Sequence, residues 1–249
     1  MKIYAIGDLH LSGKTPKPMG IFGENWEDHH GKIRQSWLET VTGDDLVLIP
    51  GDISWAMSLE DALVDLEWVA ALPGKKVIIR GNHDYWWESV GKVRAALPPS
   101  IIALQNDSVT IDGISIAGTR MWEDPELAFG DSIQWISRES IGLGPQREIS
   151  SENGRIFQRE LGRLSLSLES LSAKTKKIIV MLHYPPTDFE FRQTRTVSIL
   201  TKFGTDACVY GHLHSLKRDR TPKFPVRKWG IDFHLVSSDF LDFRPARVM

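Results

Sequence analysis

An α/β fold with mixed sheets is the class this sequence predicts, and three observations predict it. Short apolar runs that end abruptly in polar residues recur along the chain, helical patterns with start and stop signals lie between them, and past the midpoint of the first half a hairpin signal interrupts the alternation. The runs are 2–6, 46–49, 77–79, 178–182 and 207–210; they are continuous rather than alternating, as strands buried on both faces are. The clearest helix is 58–72. Ser58 can cap it, Glu60 and Asp61 favour its positive end, Ala62, Leu63, Leu66, Val69 and Ala70 form an apolar stripe, and Pro73-Gly74 stops it. Helices are also expected over 28–40, 86–97 and 152–171, the last with Ile156, Leu161, Leu164 and Leu168 at helical spacing. Around Asp112-Gly113, residues 108–111 and 114–117 read as a two-residue hairpin. Residues 231–243 alternate and read as C-terminal antiparallel strands.

Composition narrows the function. With 249 residues, 41% hydrophobic and 25% charged, the chain is neither collagenous, low-complexity nor disordered. One domain over 1–249 is expected, with loop insertions near 11–27, 120–150, 184–197 and 215–229, the kind of segment that carries function on a rigid scaffold. Thirty Lys and Arg against 32 Asp and Glu leave a net charge of -2, so no global field holds nucleic acid or an anionic membrane. The single cysteine, Cys208, has no internal disulfide partner and reads as a buried strand thiol. The N-terminal apolar stretch is too short for a signal-peptide core, and no run approaches the ~18 residues of a membrane span. A soluble, cytoplasmic protein is expected.

The polar residues fall at strand ends. Asp8 and His10 close the first run, Gly51-Asp52 the second and Gly81-Asn82-His83-Asp84 the third; His183 follows the fourth and Gly211-His212-Leu213-His214 the fifth. In open α/β sheets ligands bind at the carboxyl ends of strands, so five clusters converge on one edge. Residues two apart on an extended chain point the same way, which aims Asp8 with His10, and His212 with His214, at one place. Taken singly these are ordinary features: Gly-Asp is a common strand-exit turn, and a lone His183 reads as a satisfied structural histidine. All five together, in this order, each directly after an apolar run, read as a metal site. Carboxylate, amide and imidazole without thiolate suit Mn, Fe, Zn, Co or Ni.

Asp8-x-His10, Gly51-Asp52, Gly81-Asn82-His83-Asp84, His183 and Gly211-His212-x-His214 together resemble, in order and spacing, the signature of the calcineurin-like metallophosphoesterase superfamily, across residues 8 to 214. The resemblance implies a four-layer α/β/β/α sandwich of two mixed sheets flanked by helices, with two divalent metals at one end. It assigns Asp8, His10, Asp52 and His214 to one metal and Asp52, Asn82, His183 and His212 to the other, with Asp52 bridging. His83 becomes the general acid, oriented by Asp84, and a metal-bridging hydroxide the nucleophile. Manganese is the metal expected to support activity. The branch with GDxxDRG and GNHE motifs is not matched, because residues 51–57 read GDISWAM and the histidine is followed by Asp84. Trp55 stands where another branch has a ligating tyrosine.

The implied function is hydrolysis of a phosphodiester or nucleotide-type substrate. The alternatives are a phosphomonoesterase or phosphoprotein phosphatase, a non-catalytic metal-binding scaffold of the same fold, and a nuclease acting on polymers, for which the basic surface is small. Trp55, Arg192, Arg195, Lys217 and Arg218 are the candidate substrate contacts. Trp26, Trp55, Trp86, Trp87 and Trp122 fall in or beside the loops around the metals, and at least half of them read as core. Residues 217–228 carry six cations against Asp219, either an anion-binding rim or a solvated loop. His29-His30 reads as surface and His234 as part of a strand.

Overall fold

The computed structural model describes residues 1–133 and 151–249. The elements in order are β1 (Ile3–Ala5), α1 (His29–Thr40), β2 (Leu46–Ile49), α2 (Leu59–Ala71), β3 (Lys75–Ile78), α3 (Val90–Ala96), β4 (Ile101–Ala103), β5 (Ser108–Ile111), β6 (Ile114–Thr119), α4 (Ser151–Glu169), β7 (Lys177–Leu182), α5 (Arg195–Lys202), β8 (Ala207–Tyr210), β9 (Val226–Lys228), β10 (Ile231–Leu235) and β11 (Ala246–Arg247). One sheet has the order β11-β1-β2-β3-β4 and the other β5-β6-β7-β8-β10-β9. In the first, β1 to β4 are parallel and β11 antiparallel; in the second, β6, β7, β8 and β10 are parallel between antiparallel edges β5 and β9.

Two mixed sheets flanked by helices follow from the continuous apolar strands. Alternate residues of a strand face opposite sides. Ile3, Ala5, Leu46, Leu48 and Val77 meet Ile116, Ile179, Met181, Ala207 and Val209 in the core between the sheets. Tyr4, Val47, Ile49 and Ile78 point outward against Ile33 and Trp37 of α1, Leu66 and Val69 of α2 and Val93 of α3. On the far side Val180, Leu182, Cys208 and Phe233 pack under Phe157, Leu161 and Leu164 of α4 and Val197 and Leu200 of α5. Strands β1, β2, β7 and β8 each feed two cores and so show no continuous polar face.

The α2 signals are realised closely: the Ser58 hydroxyl accepts from the Asp61 N–H at 3.2 Å, and the helix ends before Pro73. The hairpin 108–119 turns at Asp112-Gly113, both in the left-handed region. Elsewhere the sequence reading needs correction. The helix expected over 86–97 begins only at Val90, because Trp86 and Trp87 are buried in the preceding turn, where their indole N–H groups donate to Asp84 and Gln105. Residues 231–243 are one strand, β10, parallel to β8, followed by turns. The segment expected as loop over 184–197 runs into α5, whose first turn is capped by Thr194, and 215–229 contains β9. Of the insertion expected at 120–150, residues 134–150 lie outside the described residues. Among the described residues no helix is long and apolar enough to cross a membrane.

One buried cation belongs to the fold alone. Lys76 on β3 is fully buried, and its ammonium donates to the carbonyls of Leu72 and Ala70 at the C-terminus of α2. That end carries partial negative charge, which suits a cation. Burial lowers its pKa to about 8. Below that pH both folded and unfolded chains carry the proton. Between about 8 and 10.5 only the unfolded chain does, so the contribution of Lys76 to stability rises with pH across that window. Urea unfolding of Lys76→Met beside the wild type is expected to show a difference that shifts toward the wild type by up to about 3 kcal/mol from pH 8 to 10.5; a difference independent of pH would contradict this.

Candidate metal centre

Five parallel strand ends, those of β1, β2, β3, β7 and β8, bring the predicted donors together. The backbone is held in sparsely populated shapes to do so: Asp8, His10, Asp52 and His212 all have positive φ, at 55°, 47°, 52° and 70°. Such strain persists where surrounding contacts over-determine it. Two glycines make room. A Cβ at Gly81 would collide with the Asp52 carboxylate and backbone, and one at Gly211 with the Asp8 carboxylate.

Asp8 and Asp52 are fully buried. The Asp8 carboxylate accepts the His212 N–H at 3.0 Å, and its Oδ1 lies 3.6 Å from His214 Nε2 and 3.8 Å from His183 Nδ1. Asp52 Oδ1 accepts the His83 N–H at 2.8 Å, which leaves Oδ2 facing His183 Nε2 at 3.5 Å and His10 Nε2 at 3.8 Å. Asn82 Oδ1 lies 2.6 Å from His183 Nε2 and 3.1 Å from His212 Nδ1. His10 Nε2 and His214 Nε2 face each other at 3.4 Å. Two groups of donors able to hold a cation emerge: Asp8, His10 and His214, and Asp8, Asp52 and His183. Asp8 belongs to both, while Asp52 Oδ2 reaches a histidine of each.

Backbone partners orient the imidazoles. His183 Nδ1 donates to the Pro50 carbonyl at 3.0 Å, which frees Nε2. His214 Nδ1 faces Asp239 Oδ1 at 2.8 Å, and Asp239 also accepts the Ser215 N–H. A carboxylate behind a histidine fixes its tautomer and raises its basicity. The sequence reading missed Asp239. Its signal is present, since Ser237-Ser238-Asp239 follows an apolar strand as every other cluster does, but the alternation over 231–243 reads as continuing strand.

Asp84 is where the structure corrects the expected role. It does not meet the His83 ring. Its carboxylate is buried and accepts the backbone N–H groups of Gly81, Asp52, Ile53 and Ser54 and the Trp86 indole, tying the loop after β2 to the loop after β3. His83 Nδ1 instead faces the Tyr85 hydroxyl at 3.5 Å. His29 is the second correction. The start of α1 turns it inward, and its Nε2 donates to the His10 carbonyl at 3.2 Å, leaving only His30 at the surface beside Asp28.

Of the candidate substrate contacts, Trp55 reaches the cluster. Its ring stacks on His10 at 4.9 Å and lies 4.5 Å from His83, and the Lys17 ammonium lies 4.5 Å from its centre. Arg192 is engaged by Asp188, Arg195 lies over Phe157, and Arg218 pairs with Asp242 and covers Phe240. Lys217 bonds Ser132 through its backbone. None of these four side chains hydrogen-bonds or ion-pairs with the donors. Arg220 and Arg227 of the 217–228 loop are also paired, with Asp131 and Asp232 outside it, so half of its six cations have acidic partners. Trp26, Trp86 and Trp87 are core, Trp55 and Trp122 half-buried. His234 sits on β10 as expected.

The charges are poised for a cation. Burial opposes ionisation of Asp8, yet its hydrogen bond to His214 and the charges of the surrounding histidines hold its carboxyl below the usual range. Burial, then the neighbouring Asp84 and Asp8, pushes Asp52 well above it. Burial and adjacent imidazoles hold His10 and His212 well down, and His83 at about 4, so these rings are neutral near pH 7. Burial also works against a charge on His214, but Asp239 raises it well above the ordinary value. Imidazole nitrogens and carboxyl oxygens facing one another, with no thiolate among them, are the donor set of a borderline divalent metal, whose binding would displace the protons held on His214 and Asp52.

Comparison with known proteins agrees with this geometry. Residues 1–216 match the model of the family described as calcineurin-like phosphoesterase. Gene 66 protein of Mycobacterium phage L5 is 35% identical over 77 residues, which are 31% of this chain and 37% of that protein. The matched region thus spans little over a third of that relative. Among solved structures, the phosphopantetheinyl hydrolase of Mycobacterium tuberculosis aligns over 100% of this chain and 95% of its own, with a TM-score of 0.54 and 14% identity, a likeness of fold. A protein of unknown function from Aquifex aeolicus aligns over 99% and 95%, with a TM-score of 0.49 and 16% identity.

Five N–H donors on one buried carboxylate set a stability test. Asp84→Asn leaves several of them without a charged acceptor and is expected to cost about 3 kcal/mol or more, read as a lowered unfolding midpoint of the metal-free protein. A loss under about 0.5 kcal/mol would show that Asp84 is not structural.

Proposed function

The chain belongs to the calcineurin-like phosphoesterase family, and on that premise we propose that it is a two-metal hydrolase of phosphodiester or nucleotide-type substrates. The observation that carries this reading is the convergence of Asp8, His10, Asp52, Asn82, His183, His212 and His214 at one strand-end edge, with the Nε2 atoms of His10 and His214 facing each other at 3.4 Å. Asp8, His10 and His214, with one oxygen of Asp52, would hold one divalent ion. Asp52, Asn82, His183 and His212 would hold the other, and Asp8, within reach of both groups, would add its charge to each. Bound divalent metals at such a site supply Lewis acidity, polarise phosphoryl oxygens and acidify water.

The chain's own residues do the rest. Asp239 holds the His214 ring, and the Pro50 carbonyl holds that of His183, so the donors arrive pre-oriented. His83 is kept at the rim by its own N–H bond to Asp52 and by the Trp55 ring, with its imidazole beside the donors. Held at about 4 in the free site, it would take up a proton once a bound phosphate anion raises its proton affinity, and from there it is placed to hand that proton to the departing oxygen. Asp84 acts on His83 only by shaping the loop that carries it. Trp55 is half-buried at the rim, where the part of its ring not covered by His10 offers an aromatic contact to a base or other planar substituent. The buried lone thiol Cys208 supports a reducing, cytoplasmic setting.

Two measurements test this. Metal-stripped protein re-supplied with Mn(II) is expected to hydrolyse bis-p-nitrophenyl phosphate faster than p-nitrophenyl phosphate, with both rates abolished in Asp52→Asn. A monoester preference would replace the diesterase reading with a phosphatase, and turnover of neither with two metals bound would leave a scaffold. His83→Ala is expected to lower kcat on the diester by about 10²- to 10⁴-fold while metal stoichiometry stays unchanged. Full activity in that variant would reject the proton-transfer role.

A further inference from the structure

Beside the donor cluster lies a cavity that the proposed reaction does not use. The insertion after β1, the turn that opens α1 and one face of α2 enclose about 620 Å³. The insertion is pinned over it at two points. Gly13 donates its N–H to Asp65 Oδ1 of α2 at 2.8 Å, so closely that a Cβ at position 13 would press on Val64 and Asp65. Further along, Met19 Sδ accepts the Trp55 indole N–H at 3.3 Å.

Cavity and donor cluster share a wall. Trp55, tied to Met19 of the lining, stacks on His10 at 4.9 Å and lies 4.5 Å from His83. Trp26, also in the lining, stands edge-on to His10 and His214, with ring centres 5.8 and 5.6 Å away. His29, a third lining residue, donates to the His10 carbonyl, and the carbonyl of Leu11, a fourth, accepts the Trp55 N–H at 2.9 Å. One layer of rings separates the two.

The chemistry of the lining selects what can enter. Leu11, Met19, Trp26, Val64 and Trp68 give it an apolar surface, and Val64, 44% exposed, is a hydrophobe that the fold leaves uncovered. Polar atoms of the inner wall are already engaged: Asp65 accepts from Gly13 and from the Ser54 hydroxyl, and His29 Nε2 bonds the His10 carbonyl. A base or a sugar, rich in hydrogen-bonding groups, would give up water there without finding partners. A hydrocarbon needs none and gains by burial. Met19, unbranched and polarizable, adapts to such a group. The charged lining residues Lys17, Glu27, Asp28 and His30 are exposed, and the Lys17 ammonium, 4.5 Å from the Trp55 ring centre, sets a cation where cavity and cluster meet.

We propose that this cavity is a subsite for a hydrocarbon substituent, so that the phosphodiester cleaved at the donor cluster is an ester of an apolar alcohol. The proposal rests on the phosphoesterase reading and deepens it. The phosphate meets the donors, with Lys17 complementing its charge at the junction, and the apolar alcohol passes the edge of Trp55 into the cavity. Burial of this kind is felt equally by the bound substrate and by the transition state, so it lowers KM and leaves kcat little changed.

The experiment compares the methyl, butyl and hexyl esters of p-nitrophenyl phosphate on the Mn(II)-loaded protein. In the wild type KM is expected to fall with chain length, by up to about fourfold per methylene, at similar kcat. Val64→Glu, at an exposed helix position that suits Glu, is expected to flatten the series, and Val64→Leu to retain it. In parallel, calorimetry follows 1-octanol binding to the protein in EDTA. Binding with a negative heat-capacity change is expected in the wild type, weakened about tenfold in Val64→Glu. Turnover of all three esters with a KM independent of chain length would overturn the subsite and leave the phosphoesterase reading standing, as would a series unchanged in Val64→Glu. Should the wild type turn over none of the esters, the phosphoesterase reading fails on its own. The octanol titration then decides the cavity, and absence of binding overturns it.

Discussion

Asp84 is the group whose placement the centre depends on. Its carboxylate collects the N–H groups of Gly81, Asp52, Ile53 and Ser54, and so joins two loops that leave adjacent parallel strands. Without a partner those donors would be buried and unsatisfied; with it, Asp52 is driven into its positive-φ conformation and its carboxylate swings under Gly81. Asp52 then fixes His83 through one oxygen and offers the other to His10 and His183. A carboxylate that never reaches the reacting atoms thus determines where those that do will stand.

Much of this was legible in the chain. Continuous apolar runs signalled strands with two buried faces, and the sheets do bury both faces, one residue inward and the next outward. Ser58 with Pro73-Gly74 delimited α2 because caps and breakers act locally. The donor residues were legible because strand exits are short and sequence position there maps almost directly onto space. What escaped was set at long range. The role of Asp84 turned on which loop lay behind it, and His29 was drawn inward by a carbonyl 19 residues away. Asp239 acts across 25 residues, in a stretch where polar and apolar residues alternate as a strand would. Arg218 found an acid 24 residues on, which proximity in sequence did not announce.

The distribution of charge explains why a chain of net charge -2 can still be suited to an anion. Carboxylates are spent inside, on backbone N–H groups at Asp84, on imidazoles at Asp8 and Asp239, and on three arginines at Glu160. Some surface cations are paired with carboxylates, as Arg218, Arg220 and Arg227 are. At the strand-end edge, by contrast, Asp8, Asp52 and the imidazoles face one another, and a divalent metal held there would supply the positive charge. A local field of this kind selects by shape as well as by sign.

The first strand carries Asp8 and His10, yet it is completed by residues more than 230 positions later. β1 pairs with β11, Gly7 donates its N–H to Val236, and the Ser238 hydroxyl donates to the Gly7 carbonyl. During synthesis the segment with the first two donors emerges early and stays an open sheet edge until the last stretch of the chain docks against it. Contacts of such sequence separation form late and slowly, and an unpaired edge is open to other chains in the interval. The centre cannot assemble progressively as the chain grows; it closes in one late step, when the two distant segments meet.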